Sequence, residues 1–146
     1  MKLQTILLAE DSLADIEMTL NALKNSNIAN RVVVVNDGVE AMEYLRCEGS
    51  YKSRKPGHPS VVLLDIKMPR MDGNEVLKAI RADPALKMLP VVMLTSSRED
   101  QDLLKSYSLG VNAYVVKPVD FKQFTNTVCH IGIFWSIINE FPPLLT

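Results

Sequence analysis

Short apolar runs alternate along the chain with segments whose apolar residues recur every three or four positions. Five runs rich in branched residues are bounded by turn signals, at residues 5–9, 31–35, 61–64, 91–94 and 113–116. Such runs are typical of strands buried within a sheet, and the segments between them have the periodicity of helices. The pattern predicts an α/β fold of five strands and five helices, (βα)5, with a doubly wound parallel sheet covered on both faces.

The predicted helices share a start signal. Each begins with a Ser or Asp that is followed three residues later by an acid or Gln, at residues 12 and 15, 37 and 40, 72 and 75, 97 and 100, and 120 and 123. In such capping-box-like pairs the first side chain accepts a hydrogen bond from a free backbone N–H of the first turn. The pairs therefore support the alternation of strands and helices.

The segment VVLLDIKMPRMDG, residues 61–73, combines a strand signal with a carboxylate at its end. The apolar run stops at Asp65 and leads through a Pro-containing turn to Asp72 and Gly73, where the next helix is predicted to begin. Ligands of open α/β sheets bind in the crevice outside the carboxyl ends of the strands. Asp65 is therefore the first candidate for a reactive group.

Composition and charge narrow the range of functions. The chain has 146 residues, 23% charged and 47% apolar, with a net charge of -1, which predicts one domain, residues 1–146, without the basic field typical of nucleic-acid binding. The N-terminus lacks a signal-peptide cleavage site, and the longest apolar stretch, IGIFWSII, is too short to span a membrane. We expect a cytoplasmic protein that binds neither nucleic acid nor membrane, with Cys47 and Cys129 as reduced thiols.

Chemically useful side chains follow the predicted strands. Glu10 and Asp11 follow the first strand, Asp65 the third, Thr95 the fourth and Lys117 the fifth, so parallel strands would gather them at one edge. Close carboxylates repel unless a proton or cation joins them, and oxygen ligands without Cys or His favour Mg²⁺ over zinc. Asp65 could then accept a phosphoryl group, with the acidic pair holding the metal and Lys117 and Thr95 contacting the transferred group.

Two stretches are longer or more apolar than the predicted (βα)5 fold requires. Residues 49–60 form a long loop with Lys52, Arg54 and Lys55 and no acid, which we interpret as a solvated connection or, alternatively, a partner contact. The last predicted helix begins at Phe121 and carries more apolar faces than one sheet contact needs. This excess suggests self-association or a partner, and a tail folded over the core is the alternative.

With these residues in view, the sequence resembles a response regulator receiver domain, the phosphoacceptor part of two-component signalling. The motifs LLAEDS, LLDIKMPRMDG, VVMLTSS and NAYVVKP stand in the order and spacing of that family and span nearly the whole chain. The resemblance implies the flavodoxin-like strand order 2-1-3-4-5. It also implies a phosphoacceptor switch rather than an enzyme, with at most slow self-phosphorylation and dephosphorylation.

The resemblance assigns roles to the matched acidic residues and their neighbour. Asp65 corresponds to the phosphorylated aspartate, and Glu10 and Asp11 correspond to the acidic pair of the Mg²⁺ site. Lys67 would contribute its backbone carbonyl to the metal. We also hypothesise that the Lys67 side chain shields the acyl phosphate from water.

Three further matches concern the conformational switch. Thr95 corresponds to the hydroxyl that bonds a phosphoryl oxygen, and Tyr114 to the aromatic residue that turns inward on phosphorylation. Lys117 corresponds to the lysine of the site, with a cis bond before Pro118.

Expected partners also follow from the resemblance. The phosphoryl group would come from a sensor histidine kinase, and the long loop with the aromatic-rich C-terminus resembles stand-alone regulators of bacterial phytochromes. A phytochrome-type kinase and a homodimer formed through the C-terminal helix are therefore expected. Only NEFPPLLT follows the last predicted helix, so we expect no output domain and a target protein in trans.

Three alternative functions differ in chemistry. One is a relay that passes the phosphoryl group to a histidine phosphotransfer protein. Another is a phosphatase that forms an aspartyl phosphate, which usually needs a second acid at the position of Lys67. The last, a flavodoxin-like FMN carrier, needs a Gly-rich phosphate loop where this chain has AEDSLAD.

Overall fold

The computed structural model describes residues 5–25, 31–95, 108–117, 120, 122–123 and 125–126. Its elements are β1 (Thr5–Ala9), α1 (Leu13–Asn25), β2 (Arg31–Val35), α2 (Gly38–Arg46), a 3-10 turn (Gly49–Tyr51), β3 (Val61–Asp65), α3 (Gly73–Ala82), β4 (Val91–Thr95) and β5 (Ala113–Val116). All five predicted strands are confirmed. β3 and β4 each extend one residue beyond the predicted run, so that Asp65 and Thr95 belong to the sheet.

The strands form one parallel sheet in the order β2-β1-β3-β4-β5, which confirms the predicted order. β3 and β4 are buried at every position, as expected for strands covered on both faces, whereas β2 at the edge is half-exposed. Because the strands run in the same direction, their carboxyl ends share one side of the sheet, here named the carboxyl edge. Their amino ends share the opposite side, named the amino edge.

Each face of the sheet carries a hydrophobic cluster. Leu7 and Val62 face the cluster completed by α2 and α3, and the intervening Leu8 and Leu63 face the cluster completed by α1. Burying a leucine side chain stabilises a fold by about 1.5–3 kcal/mol. Because alternate residues of each strand are buried against helices on opposite faces, the sheet is covered on both sides, as predicted for a doubly wound fold.

The predicted helix starts are confirmed where the structure describes them. A backbone N–H donates to the cap side chain at 2.7–3.3 Å in four pairs, namely Ser12 and Asp15, Asp37 and Glu40, Asp72 and Glu75, and Asp120 and Gln123. Glu75 also accepts from the backbone N–H of Asp72 at 3.1 Å, which completes a reciprocal capping box. The Asp15 carboxylate instead accepts from Lys117, while the Glu40 carboxylate accepts from the backbone N–H of Asn36 and from the Tyr51 hydroxyl.

The loop of residues 49–60 is folded around Arg54 and is not merely a solvated connection. The Arg54 guanidinium donates to the carbonyl oxygen of Tyr44 at 2.9 and 2.7 Å and to that of Gly57 at 3.0 Å. It also lies over the Tyr44 ring, 4.1 Å from the centroid. One of the three cations predicted as a basic patch is thus structural, whereas Lys52 and Lys55 are exposed.

Several predictions fall partly or wholly outside the described residues. These are the fourth helix after Ser97, the bond before Pro118, Cys129 and the C-terminal helix that would form a homodimer. Of the fifth predicted helix, residues 122, 123, 125 and 126 are described and are helical. Cys47 is a free thiol, and none of the helices within the described ranges has the length and apolarity needed to cross a bilayer.

Candidate functional site

The carboxyl edge brings together the residues that the sequence predicted there. Glu10 and Asp11 follow β1, and Asp65 ends β3, which lies next to β1. Carboxylate oxygens of these three residues lie within 4.8 Å of one another. The parallel topology therefore builds an acidic cluster from two separate segments of the chain.

Glu10 is the buried member of this cluster. Its side chain has no solvent exposure, and its backbone N–H donates to the Val35 carbonyl oxygen at 3.0 Å, which prolongs the β1–β2 pairing by one residue. One carboxylate oxygen accepts from the Ser12 backbone N–H at 3.1 Å, and the other accepts from Lys117 at 2.7 Å. These bonds fix the carboxylate in an orientation that solvent cannot disturb.

Lys117 follows β5 and is the cation at the centre of the site. Its Nζ lies 2.7 Å from Glu10, 2.9 Å from Asp15 and 3.1 Å from Asp65. The backbone N–H of Lys117 donates to the Thr95 carbonyl oxygen at 2.7 Å, so β4 positions the stem of the side chain. One ammonium thus connects residues from β1, α1 and β3.

Asp15 is a site residue that the sequence interpretation assigned only to helix capping. Its backbone N–H donates to the Ser12 hydroxyl, but its carboxylate accepts a hydrogen bond from Lys117 at 2.9 Å. The available signal was its place in the first turn of α1, the helix that begins immediately after Glu10 and Asp11. An acid at that position lies at the carboxyl edge, within reach of a cation from β5.

The surroundings of the Asp65 carboxyl disfavour its charged form. Burial and the nearby charge of Glu10 raise its pKa from 3.8 to about 7, although Lys117 acts in the opposite direction. In the metal-free protein, Asp65 is therefore partly protonated near neutral pH. The site contains more negative charge than one lysine can neutralise.

The pKa of Lys117 is also raised, which for a lysine favours the charged form. Burial alone lowers the pKa of its ammonium, but hydrogen bonds to Glu10 and Asp15 and the charge of Asp65 outweigh burial, so its pKa is raised above the ordinary value. Lys117 is consequently charged at neutral pH. It is a permanent hydrogen-bond donor for anionic groups at the site.

The acidic cluster fits a divalent cation. Glu10, Asp11, Asp15 and Asp65 supply four carboxyls around the Lys117 ammonium, so three negative charges remain uncompensated by it when all four are ionised. Asp11 is exposed, and no described residue donates to its carboxylate. A set of carboxylate oxygens without His or Cys is suited to a hard divalent ion.

Three other predicted site residues belong to β4 or β5 or follow β3. Thr95 is buried at the end of β4, next to the strand that ends in Asp65. Lys67 is exposed two residues after Asp65. Tyr114 lies in β5 opposite Met93, and its half-buried ring packs against the cluster of α2 and α3.

The segment between Asp65 and α3 is held closely on both sides. A Cβ at Gly73 would collide with the Asp65 carbonyl oxygen, and the Gly73 N–H donates to the Ile66 carbonyl oxygen at 2.8 Å. Arg70, which has a left-handed φ of 65°, forms an ion pair with Asp37 at 2.8 Å. The close approach at Gly73 and the Arg70 pair keep this segment against the start of α2 and α3.

Comparisons with known proteins agree with this geometry. The profile of a family described as "Response regulator receiver domain" matches residues 6–129. Response regulator Rcp1 of Synechocystis sp. is 39% identical over 132 residues, which cover 90% of this chain and 88% of that protein.

Solved structures of such regulators are also similar. The bacteriophytochrome response regulator AtBRR matches with a TM-score of 0.86 and 54% identity, covering 96% of this chain and 100% of that one. The Mn²⁺-bound form of response regulator Rcp1 matches with a TM-score of 0.74 and 36% identity, covering 97% of this chain and 99% of that one.

Proposed function

This chain belongs to the response regulator receiver domain family, and we propose that Asp65 is the residue on which it accepts a phosphoryl group from a sensor histidine kinase. The observation that carries the proposal is the 3.1 Å contact between Lys117 and Asp65 within a buried acidic cluster. A carboxylate nucleophile beside a fixed ammonium and an acidic pair can attack a phosphoryl group and stabilise its charge.

In the transfer step, an oxygen of Asp65 forms a bond to phosphorus while the bond from phosphorus to the kinase imidazole breaks. The electron pair of the broken bond stays on the imidazole nitrogen, which then takes a proton. Lys117 moves its hydrogen bond from the Asp65 carboxylate to a phosphoryl oxygen. Because Lys117 also contacts Glu10 and Asp15, it keeps its position while one of its acceptors changes.

Glu10, Asp11, Asp65 and the backbone carbonyl of Lys67 are the proposed ligands of Mg²⁺. The oxygen-only donor set and the uncompensated charge of the cluster support this assignment. Bound Mg²⁺ would supply positive charge against the transferred phosphoryl group. The related Rcp1 structure contains Mn²⁺, a divalent ion that also accepts oxygen ligands.

Thr95 and Tyr114 are proposed to report phosphorylation to the rest of the domain. Thr95 ends the strand beside Asp65, where its hydroxyl can donate to a phosphoryl oxygen that exists only in the phosphorylated state. Tyr114 lies on the next strand and is half-buried, so it has room to move further inward. A contact present in one state only can bias two arrangements of a domain.

The proposed biological setting rests on the relatives. Their names associate them with phytochromes, so a phytochrome-type histidine kinase is the proposed donor. We place the protein in the cytoplasm as a single receiver domain, residues 1–146, which dimerises through its C-terminal helix. It would act as a phosphorylation-dependent switch on a target in trans or pass the group to a histidine phosphotransfer protein.

The test is intact mass after incubation with phosphoramidate and Mg²⁺. The native chain should gain the mass of one phosphoryl group, and the gain should be lost with Asp65→Asn or with EDTA. Asp83→Asn is a matched control, because Asp83 is a partly buried carboxylate that pairs with Arg46 away from the site. No gain in the native chain, even with phosphorylated kinase as donor, would refute the proposal.

Multiple turnover would point to the phosphatase alternative. Steady release of phosphate from small phosphate esters, sensitive to Asp65→Asn, would show hydrolysis instead of storage. We propose a phosphoacceptor switch and not such an enzyme, because position 67 carries an exposed lysine in place of a second acid.

Lys67 is proposed to slow loss of the phosphoryl group by shielding it from water. Lys67→Asn should then shorten the half-life of the phosphorylated protein without changing the extent of phosphorylation at early times. An unchanged half-life would contradict this role. Lys78→Asn, an exposed lysine on α3, is the control.

A further inference from the structure

A groove lies at the amino edge, on the side of the sheet opposite to Asp65. Its volume is about 770 Å³, and it runs between the edge strand β2 and the loop of residues 49–60. Thr5, Arg31 and Val33 form one wall, while residues 54–59 form the other. A cavity of this size suits a short peptide segment or a comparable ligand.

The floor and far wall of the groove are preorganised. Tyr44 and Tyr51 line it and contact each other edge to face, with ring centroids 5.2 Å apart. Arg54 uses Nε and both terminal nitrogens on backbone carbonyls and lies over the Tyr44 ring. Arg54 therefore supports the wall and is not free to bind a ligand.

The groove carries positive charges that are not neutralised by acidic residues of its described lining. Arg31 and Lys55 are exposed, and neither forms an ion pair within the described residues. No Asp or Glu is among the described residues that line the groove. An occupant with negative charge would satisfy these two cations, which are supplied by opposite walls.

The edge strand provides a second recognition element. Val35 accepts from the Glu10 N–H on the β1 side, and because backbone groups of a parallel strand alternate in direction, those of Val32 and Val34 point away from β1. No described strand pairs with that outer side of β2. Arg31 and Val33, which alternate with Val32 and Val34, line the groove, so this edge borders it. An extended peptide can pair with both the N–H and the C=O groups of such an edge, whereas phosphate groups only accept hydrogen bonds and would leave the C=O groups unpaired.

From this combination we infer that the groove between β2 and the loop of residues 49–60 binds an extended acidic segment of a partner protein. Alternate side chains of an extended segment share one face, so acidic side chains two positions apart contact the cations on the two walls, and the apolar side chains between them point to the opposite face. The occupied surface lies at the amino edge, so it does not overlap the phosphoacceptor site. This inference goes beyond the proposed phosphoryl transfer and does not depend on it.

The probe is a fluorescein-labelled octapeptide of alternating Glu and Val, with an alternating Lys and Val peptide as its charge control. Binding is followed by fluorescence anisotropy and by amide chemical shifts of the ¹⁵N-labelled full chain. The acidic peptide should shift amides of residues 31–35 and 54–60, and the basic peptide should not. Absence of these shifts at about 1 mM peptide, where weak complexes are populated, would overturn the inference.

Charge reversal locates the site. Arg31→Glu combined with Lys55→Glu should weaken acidic-peptide binding by about tenfold or more. Lys78→Glu with Lys87→Glu makes the same charge change at exposed residues outside the groove and should change the affinity by less than about twofold. Equal weakening by both pairs would mean non-specific attraction and would overturn the inference.

Two further arms keep the result interpretable. Arg31→Gln with Lys55→Gln is a milder pair for use if the reversal variant loses its far-ultraviolet circular dichroism, and it should also weaken binding. Inorganic tripolyphosphate and an oligothymidylate should fail to displace the acidic peptide at equal concentration. Displacement by either would overturn the peptide assignment in favour of a general anion site. All arms are repeated with Asp65→Asn, which should bind the peptide normally whether or not phosphoryl transfer occurs.

Discussion

The cations at the two edges of the sheet have different kinds of partner. At the carboxyl edge, Lys117 faces three carboxylates at 2.7–3.1 Å. At the amino edge, Arg54 and Arg81 donate to neutral oxygens. The lysine belongs to a group with excess negative charge, whereas the arginines complete sets of neutral acceptors.

Arg81 shows the amino-edge arrangement most fully. Its guanidinium donates to the carbonyl oxygens of Gly110, Lys87 and Leu89 and to the Asn112 side chain, at 2.7–3.0 Å. Burial lowers the pKa of Arg81, while acidic partners raise that of Lys117. The arginine joins the loops before β4 and β5, and no carboxylate of the described residues pairs with it.

This difference distinguishes a cation that holds loops together from a cation in a site that can bind ligands. The hydrogen bonds of Arg81 go to neutral acceptors, so its guanidinium holds the two loops together although its charge is not neutralised by these partners. The carboxyl edge is incompletely neutralised, and the pKa of Asp65 records this by its rise to about 7. A metal ion or a phosphoryl group can therefore change the carboxyl edge, while the amino edge keeps its loops in place.

The largest expected effect is that of Lys117→Met. Among the described residues Lys117 supplies the ammonium that contacts Glu10, Asp15 and Asp65, and its removal should lower the free energy of unfolding by about 3 kcal/mol at pH 8 without metal. Mg²⁺ should restore part of the loss, because it replaces the missing positive charge. Urea unfolding with EDTA and with Mg²⁺ measures both values, and a loss that is identical in the two conditions would contradict the charge argument.

Arg81→Met should cost less and respond differently. Loss of its hydrogen bonds leaves partly buried carbonyls unsatisfied and should lower the free energy of unfolding by about 2 kcal/mol. Because the acceptors are neutral, the loss should be the same with EDTA and with Mg²⁺ and between pH 6 and 8. If urea unfolding showed that the loss of unfolding free energy depends on Mg²⁺, the proposed difference between the two edges would be wrong.

Asp65→Asn should have the opposite sign and stabilise the metal-free fold. The native pKa of about 7 exceeds the ordinary 3.8, so protonation stabilises the folded state as pH falls through 7, and that stabilisation is lost as pH rises. The Asn variant lacks this penalty. Each pKa unit corresponds to about 1.4 kcal/mol, and after a discount for solvent screening the variant should be about 1.5 kcal/mol more stable than the native chain at pH 8.

Thermal unfolding of both proteins in EDTA at several pH values tests this sign. The advantage of the Asn variant should shrink towards pH 5, because Asp65 of the native chain is then protonated. An advantage that is constant with pH would contradict the assignment of the raised pKa to Asp65.

Tyr51→Phe should have the smallest effect, about 1 kcal/mol. The Tyr51 hydroxyl donates to Glu40 at 2.9 Å, and burial together with that carboxylate raises its pKa to about 12. Tyr44→Phe is the control, since no described residue bonds the Tyr44 hydroxyl. Urea unfolding should show a larger loss for Tyr51→Phe than for Tyr44→Phe, and the reverse order would contradict the role of the hydroxyl.

The strands and the helix starts were predictable from sequence because their signals are local. The apolar runs and the cap residues act within a few positions, and strand ends place Glu10, Asp65 and Lys117 at one edge. Choices among tertiary partners were not predictable in the same way. Asp15 was expected to cap a helix but turns to Lys117, and Arg54 was expected to be solvated but bonds the Tyr44 carbonyl oxygen.

The most direct test of the unbalanced carboxyl edge is a ¹³C titration of the Asp65 carboxyl carbon, assigned by comparison with Asp65→Asn. In EDTA the resonance should titrate with a pKa of about 7. With saturating Mg²⁺ the titration should move well below neutral pH, because a bound cation favours the carboxylate. An ordinary pKa near 4 in both conditions would mean that the edge is already neutralised and would contradict the account.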